Sequence, residues 1–232
     1  MTTWSEIITA AMTIINDVRW REQLEISPAQ FYRAKSLFVK EAYPMLNRPT
    51  ELLEYLTESV TEPSYTSYSW TSDEQSLVST TAVNTGAINY DLCSCVAVSQ
   101  NDAGDVSYTP YADVQYDKTT GTVTFPVQDA TDLVYELDFY TDGTFADLSD
   151  SQMRLFSKAI AYIWDERFNR DYLTDVMKIK DSSFATANES QYMRDKQARQ
   201  DKNKQAFTDE LRAYEQTCAY NRTNVSRKTT LL

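Results

Sequence analysis

The chain has 232 residues, with 34 acidic and 22 basic side chains, no histidine and a net charge of −12. Without histidine it cannot build a Ser-His-Asp or Cys-His device and lacks the usual proton shuttle near neutral pH, which removes most hydrolase mechanisms. It is 42% hydrophobic and 12% aromatic, so a globular chain is expected. No apolar run approaches the roughly 18 residues of a membrane span, so a soluble protein with no membrane partner is expected.

Charge and glycine are unevenly spread. Residues 61–148 hold all four glycines, Gly86, Gly104, Gly121 and Gly143, and fourteen carboxylates against the single base Lys118. The flanks together are close to neutral. Glycine and alternating β-branched residues belong to turns and strands, whereas the glycine-free flanks carry helical periodicity. The expected fold class is therefore α+β: a helical domain formed by both chain ends with an inserted antiparallel β-sandwich or small barrel. The expected boundaries are 1–62 and 149–220 for the helical domain, 63–148 for the acidic insert and 221–232 for a flexible C-terminal tail.

In chain order, Met1 to Glu6 lacks the basic and apolar regions of a secretory signal, so synthesis and folding in a cytoplasm are expected. Thr3 and Glu6 have capping-box spacing, and Trp4, Ile8, Ala11, Ile15 and Val18 then fall on one helical face, widened by Ile7 and Met12. Ser27-Pro28-Ala29-Gln30 signals a second helix, with proline where no hydrogen bond is lost. Phe31, Leu37, Phe38, Ala42 and Met45 form its apolar side until Tyr43-Pro44 and Arg48-Pro49 disrupt it. Leu52, Leu53, Leu56 and Val60 suggest a third helix, closed by Glu62-Pro63.

From Tyr65 the period changes to two, as in Tyr90, Leu92, Ser94, Val96 and Val98 or in Leu133, Tyr135, Leu137 and Phe139. About six strands fit, near 65–70, 76–83, 88–99, 106–116, 122–127 and 133–140. Asn101-Asp102-Ala103-Gly104 and Asp117-Lys118-Thr119-Thr120-Gly121 read as hairpin connections. Helical period returns after Gly143. Ser149 and Gln152 repeat the capping-box spacing, and Met153, Phe156, Ile160, Ile163 and Trp164 make a stripe for a buried central helix. A long helix from about Ser190 to Tyr220 ends in Phe207, Leu211, Tyr214 and Cys218, but its middle, Arg194 to Gln205, is almost wholly polar and needs a neighbour or stands in solvent. Arg222, Arg227 and Lys228, with no acid beside them, mark the tail as basic.

Chemistry is sparse. The glycines lie too far apart for a Gly-x-Gly-x-x-Gly or P-loop phosphate cradle. Cys93 and Cys95 are two apart in a strand and would share a face, which suits buried, reduced thiols rather than a disulfide. A carboxylate pair for glycoside hydrolysis and a calcium loop at Asn101 to Asp105 are weaker readings than a solvated surface and a hairpin. No catalytic, cofactor-binding or metal-binding residue is therefore assigned, no cofactor is expected, and the chain is not read as an enzyme. Tyr65, Tyr68 and Trp70 form the candidate exposed aromatic cluster, while Tyr108, Tyr111 and Tyr116 are assigned to packing. The run from Arg194 to Lys204 is interrupted by Asp195 and Asp201 and reads as a solvated helix or subunit contact rather than a nucleic-acid stripe.

The opening helix from Trp4 to Val18, the re-entry Leu148-Ser149-Asp150-Ser151-Gln152-Met153-Arg154 into Phe156 to Phe168, the long helix from Ser190 to Tyr220 and the Thr229-Thr230-Leu231-Leu232 ending are together similar to the head-to-tail connector (adaptor) proteins of tailed bacteriophages, including the tail tubular protein A type. The resemblance rests on element order over most of the chain rather than on one motif. It implies a structural virion protein at the portal–tail junction, a ring of roughly twelve copies that docks on the portal protein, meets further tail proteins and extends the channel through which the genome leaves. Arg222, Arg227 and Lys228 become the candidate portal-docking tail. Asp102, Asp105, Asp113 and Asp117 become candidates for a lumen or partner face, where carboxylates would let DNA pass without specific binding. The alternative is a carbohydrate- or receptor-binding β-module supported by helices, with Tyr65, Tyr68 and Trp70 as its ligand surface.

Overall fold

The computed structural model describes residues 1–100, 105–178 and 186–229. The fold is α+β, with helices at both ends and antiparallel sheets between them. It divides into two compact units.

The helical unit comprises Met1–Val18, Lys35–Thr61 and Thr144–Leu232. Its first elements are β1 (Thr2–Thr3) and α1 (Trp4–Ile15), and the capping box at Thr3 is complete: the Glu6 amide donates to Thr3 Oγ1 at 3.2 Å and the Thr3 amide donates to Glu6 Oε2 at 2.7 Å. Trp4, Ile7, Ile8, Ala11 and Ile15 are buried as the period requires. Val18, expected on the same stripe, is 64% exposed. Asn16 adopts a left-handed conformation, φ 46°, and ends α1 with its amide on the Met12 carbonyl, so Val18 opens a new helix, α2 (Val18–Ile26), with a reset phase. In that helix Trp20 is the buried residue.

Helix α3 (Pro28–Ala42) starts where Ser27-Pro28 places it. Phe31, Phe38 and Ala42 are buried, but Leu37 is 46% exposed and Val39 takes its place inside. A single 3₁₀ turn at Tyr43–Met45 follows, with Leu46 buried behind it, and α4 (Thr50–Ser59) buries Leu52 and Leu56.

The sheet unit comprises Arg19–Ala34 and Glu62–Gly143, so a helical stretch expected in the helical domain belongs with the strands, and the insert ends at Gly143 rather than 148. Here Trp20 and Phe31 meet edge to face, ring centroids 5.7 Å apart. The strands are β2 (Ser64–Thr71), β3 (Thr81–Asn84), β4 (Asp91–Gln100), β5 (Val106–Pro110), β6 (Gln115–Asp117), β7 (Thr122–Phe125) and β8 (Val134–Thr141). A four-stranded sheet has the order β2-β8-β4-β5 and a three-stranded sheet the order β3-β7-β6, antiparallel throughout. They share one core of Cys95, Tyr135, Leu137 and Phe139 from the first sheet with Val123 and Phe125 from the second, the inserted β-sandwich of the sequence reading.

The strand expected at 106–116 is two strands in different sheets. Pro110 has no amide to continue the ladder, and after Tyr111 the chain crosses to pair with β7. The strand expected at 76–83 is a 3₁₀ turn, Gln75–Leu77, followed by the short β3. The hairpin at Asp117 to Gly121 is as read: Gly121 has φ +67°, and a Cβ there would lie 3.0 Å from the Ala87 amide nitrogen. The hairpin loop expected at Asn101 to Gly104 lies outside the described residues, but β4 and β5 pair antiparallel up to Gln100 and Val106 on either side of it.

The chain returns to the helical unit through β9 (Thr144–Phe145), which pairs with β1, an element the sequence reading lacks. Helix α5 (Asp150–Lys178) starts from the expected Ser149/Gln152 box, the Ser149 amide donating to Gln152 Oε1 at 2.7 Å. Leu155, Phe156, Ala159, Ile160 and Ile163 are buried along it. Helix α6 (Thr186–Thr229) packs along α5, and α1 packs on α5.

Candidate interaction surfaces

Period-two alternation in β2 separates the aromatic residues that the sequence groups together. Tyr68 and Trp70 face the sandwich core, with the Trp70 ring stacked on Phe125 at 4.0 Å and on Tyr135 at 5.6 Å. They are half-buried packing residues and not an exposed cluster. Tyr65 points to the opposite face, is 48% exposed, lies 5.5 Å from the Tyr140 ring and carries the Arg33 guanidinium over its own ring at 5.3 Å. On this face Asp138 gathers three donors: Arg33 Nη1 at 3.1 Å, Ser67 Oγ at 3.1 Å and Ser94 Oγ at 3.3 Å. Gln30, Arg33, Ala34, Tyr65, Ser94 and Asp138 line an open depression of about 400 Å³. Tyr65 is thus the one member of the aromatic trio on a polar, accessible surface. Cys93 and Cys95 are buried and unbridged, and burial pushes both thiols up to about 11, so neither is a nucleophile near neutral pH.

Three of the four candidate acids are described, and all three are exposed. Asp102 lies outside the described residues, and Asp105 and Asp113 are exposed. Asp117 is exposed too, but its carboxylate holds the β6–β7 turn, accepting from the Thr119 amide at 2.9 Å, Thr119 Oγ1 at 2.6 Å and Thr120 Oγ1 at 3.0 Å. Those donors, the Thr119 hydroxyl first, lower its pKa. Two further acids of the insert sequence make ion pairs, Asp91 with Lys118 at 2.7 Å and Asp147 with the chain's terminal amine.

In the helical unit the tail expected at 221–232 is not separate: α6 continues through Thr229. Arg222 sits on this helix and pairs with Glu51 of α4 at 2.9 Å, which gives the basic segment an acidic neighbour in its own chain. The side chains of Arg227 and Lys228 lie outside the described residues. Beside that pair, Leu52, Tyr55, Gln152, Tyr214, Cys218 and Asn221 help line a depression of about 380 Å³.

The polar middle of α6 has a partner that sequence reasoning missed. Asp165 of α5 is 4% exposed and is met by Arg199 Nε at 3.2 Å and by the Asn203 side-chain amide, while Arg199 also donates to the Ile15 carbonyl at 3.0 Å. One guanidinium therefore ties α1, α5 and α6. The available signal was one charged residue, Asp165, following the apolar stripe Ile160, Ile163 and Trp164.

Further along, Glu210 accepts from Lys158 Nζ at 2.5 Å and Arg154 Nε at 3.4 Å. The Lys158 hydrogen bond, aided by the Lys158 and Arg154 charges, outweighs desolvation and holds the Glu210 carboxyl below its ordinary value. A depressed folded-state pKa contributes stability that is complete above the unfolded value and is lost as pH falls through the folded one. The melting-point deficit of Glu210→Gln is accordingly expected to stay constant from neutrality down to about pH 5 and to shrink below it. Melts across a pH series check this; a deficit unchanged in acid would assign the loss to packing.

Among the described residues no group of three or more His, Cys, Asp or Glu side chains is placed to hold a metal ion, and no helix is long and apolar enough to cross a membrane. Compared with known proteins, the chain matches no family model, no curated protein and no solved structure.

Proposed function

We propose that this chain is a structural virion protein of a bacteriophage head-to-tail connector, an adaptor that forms a ring, docks on the portal and extends the DNA channel towards the tail. The observation that carries this reading is the architecture: both chain ends build one helical unit that closes on a 44-residue helix, and an acidic antiparallel unit is inserted between them. At 1.5 Å per residue that helix runs about 66 Å, a long surface for neighbouring copies and the portal. Exposed carboxylates such as Asp105 and Asp113 suit a conduit, since phosphate gains no counterion release against acidic walls. The Glu51–Arg222 pair sets the docking hypothesis more narrowly than a free tail would. A portal surface that takes hold of α6 exchanges its own carboxylates for Glu51.

The test is co-sedimentation of the purified chain with the portal ring of the same source, followed by negative-stain imaging. Rings on the portal, lost with Arg222→Glu, support the reading. A chain that ignores the portal moves the assignment to the second reading, a carbohydrate- or receptor-binding module. That reading is favoured by one observation, the half-exposed Tyr65 ring beside Arg33, Ser94 and Asp138 in the sheet unit's depression.

A further inference from the structure

We propose that the four-stranded sheet makes the contact between copies of this chain, the outer edge of β2 in one copy pairing with the outer edge of β5 in the next. The inference rests on the ring reading and names the surface that closes the ring.

The order β2-β8-β4-β5 leaves β2 and β5 as the sheet's two edges, and among the described residues no further strand pairs with either. A sheet edge presents a row of backbone donors and acceptors to any passing strand, and monomeric proteins protect it with short strands, charges or coverage. The second sheet follows that rule: its edges β3 and β6 are four and three residues long, and β6 carries Asp117. In the first sheet β5 carries one such device, the terminal Pro110, whereas β2 carries neither a charge nor a proline. Strand β2 has eight residues, Ser-Tyr-Thr-Ser-Tyr-Ser-Trp-Thr, and β5 has five, Val-Ser-Tyr-Thr-Pro, without one charge between them.

Neutrality is shared by β3 and β7 of the second sheet, so what sets β2 apart is an uncharged edge of eight residues, twice the length of β3, in a segment with fourteen carboxylates. The interior strand β8 carries Glu136 and Asp138, yet both edges carry none. A charge on an edge is stripped of water when a strand docks there and costs several kcal/mol unless paired, so neutral edges are what a pairing surface requires. Every residue of β5 is exposed, including Val106 at 50% and Tyr108 at 59%, and Thr66, Ser67, Ser69 and Thr71 of β2 are exposed as well.

The occupant follows from the geometry. The two edges are unlike and lie on opposite sides of one sheet, so a copy that uses β2 still offers β5, and head-to-tail addition continues until a rotation closes it. Each copy carries a net charge of −12, so association strengthens with added salt as long-range repulsion is screened.

The experiment blocks one edge at a time with charge. Ser69→Lys/Thr71→Lys closes β2 and Val106→Lys/Tyr108→Lys closes β5, with circular dichroism and melting used to accept only folded variants. Sedimentation velocity of the full-length chain is then read at several concentrations and salt levels. The expected result is that wild type forms higher oligomers, each variant alone associates at least about tenfold more weakly, and the two variants mixed form dimers and stop there. Self-dimers of the β2-blocked variant would mean β5–β5 pairing and overturn the proposal. So would oligomers of wild-type size from both variants, or a wild type that stays monomeric. Failure of the connector reading looks different: closed rings that depend on both edges but do not co-sediment with portal.

Discussion

Arg199→Ala is expected to cost about 2–3 kcal/mol and to lower the melting point by about 4–10 °C. The Asp165 side chain is 5% exposed, so its carboxylate is held almost entirely by donors from the protein rather than by water. Arg199 supplies one of them from α6 and at the same time donates to the Ile15 carbonyl at the end of α1, where no further turn of helix can donate. Removing it withdraws a positive charge from a buried carboxylate and a donor from a helix terminus in one step. Breaking a buried pair from one side costs about 3–5 kcal/mol, and the expected cost falls at or just below the bottom of that range because the Arg199 side chain is 53% exposed and water can enter where it stood. Arg199→Lys keeps the charge but not the fork that reaches both acceptors, so it is expected to recover less than half of the loss. Denaturant titration followed by helical circular dichroism measures both. A cost for Arg199→Ala below about 0.5 kcal/mol would class the contact with ordinary surface ion pairs.

Trp70→Ala is expected to destabilise the sheet unit by about 3 kcal/mol, whereas Tyr65→Ala costs about 1 kcal/mol. Both residues belong to one strand and one aromatic run, so the contrast isolates the face on which each lies. Trp70 stacks on Phe125 across the two sheets and on Tyr135 beside it, so its loss removes both contacts and leaves a space lined by those two rings. The cost stays at the low end for a tryptophan because the indole is only half-buried. Tyr65 loses its contact with Tyr140 and the guanidinium above it, on a face already open to water. Chemical denaturation monitored by tryptophan-independent signals distinguishes the two. Equal and small losses would make Trp70 a surface residue, as the run Tyr65 to Trp70 suggests when read as a string.

Local features were legible because their causes are local. Thr3 with Glu6 and Ser149 with Gln152 form reciprocal bonds over three residues, and the chain at those points needs nothing distant to form them. Gly121 supplies its left-handed turn within one hairpin, and the stripe of Phe156, Ile160 and Ile163 is buried because a single unbroken helix keeps its phase. Legibility failed where phase was lost or the partner was remote. The left-handed Asn16 resets the helix, which exposes Val18 and buries Trp20. Leu37 sits one residue off the face that Phe38 and Val39 share.

What the amino-acid sequence determined by itself was the α+β class, the position of the acidic insert within a few residues, the main helix starts and most of the core. Hydrophobic period and capping act within one element, so they can be read along the chain. The tertiary structure alone decided that residues 19–34 join the sheet unit, that Asp165 answers the polar middle of α6, that Arg222 faces Glu51, and that β2 and β5 are the strands left at the edges of the four-stranded sheet. Each of these depends on which segments far apart in sequence become neighbours, and strand order and buried charge pairing carry no period that a linear reading can detect.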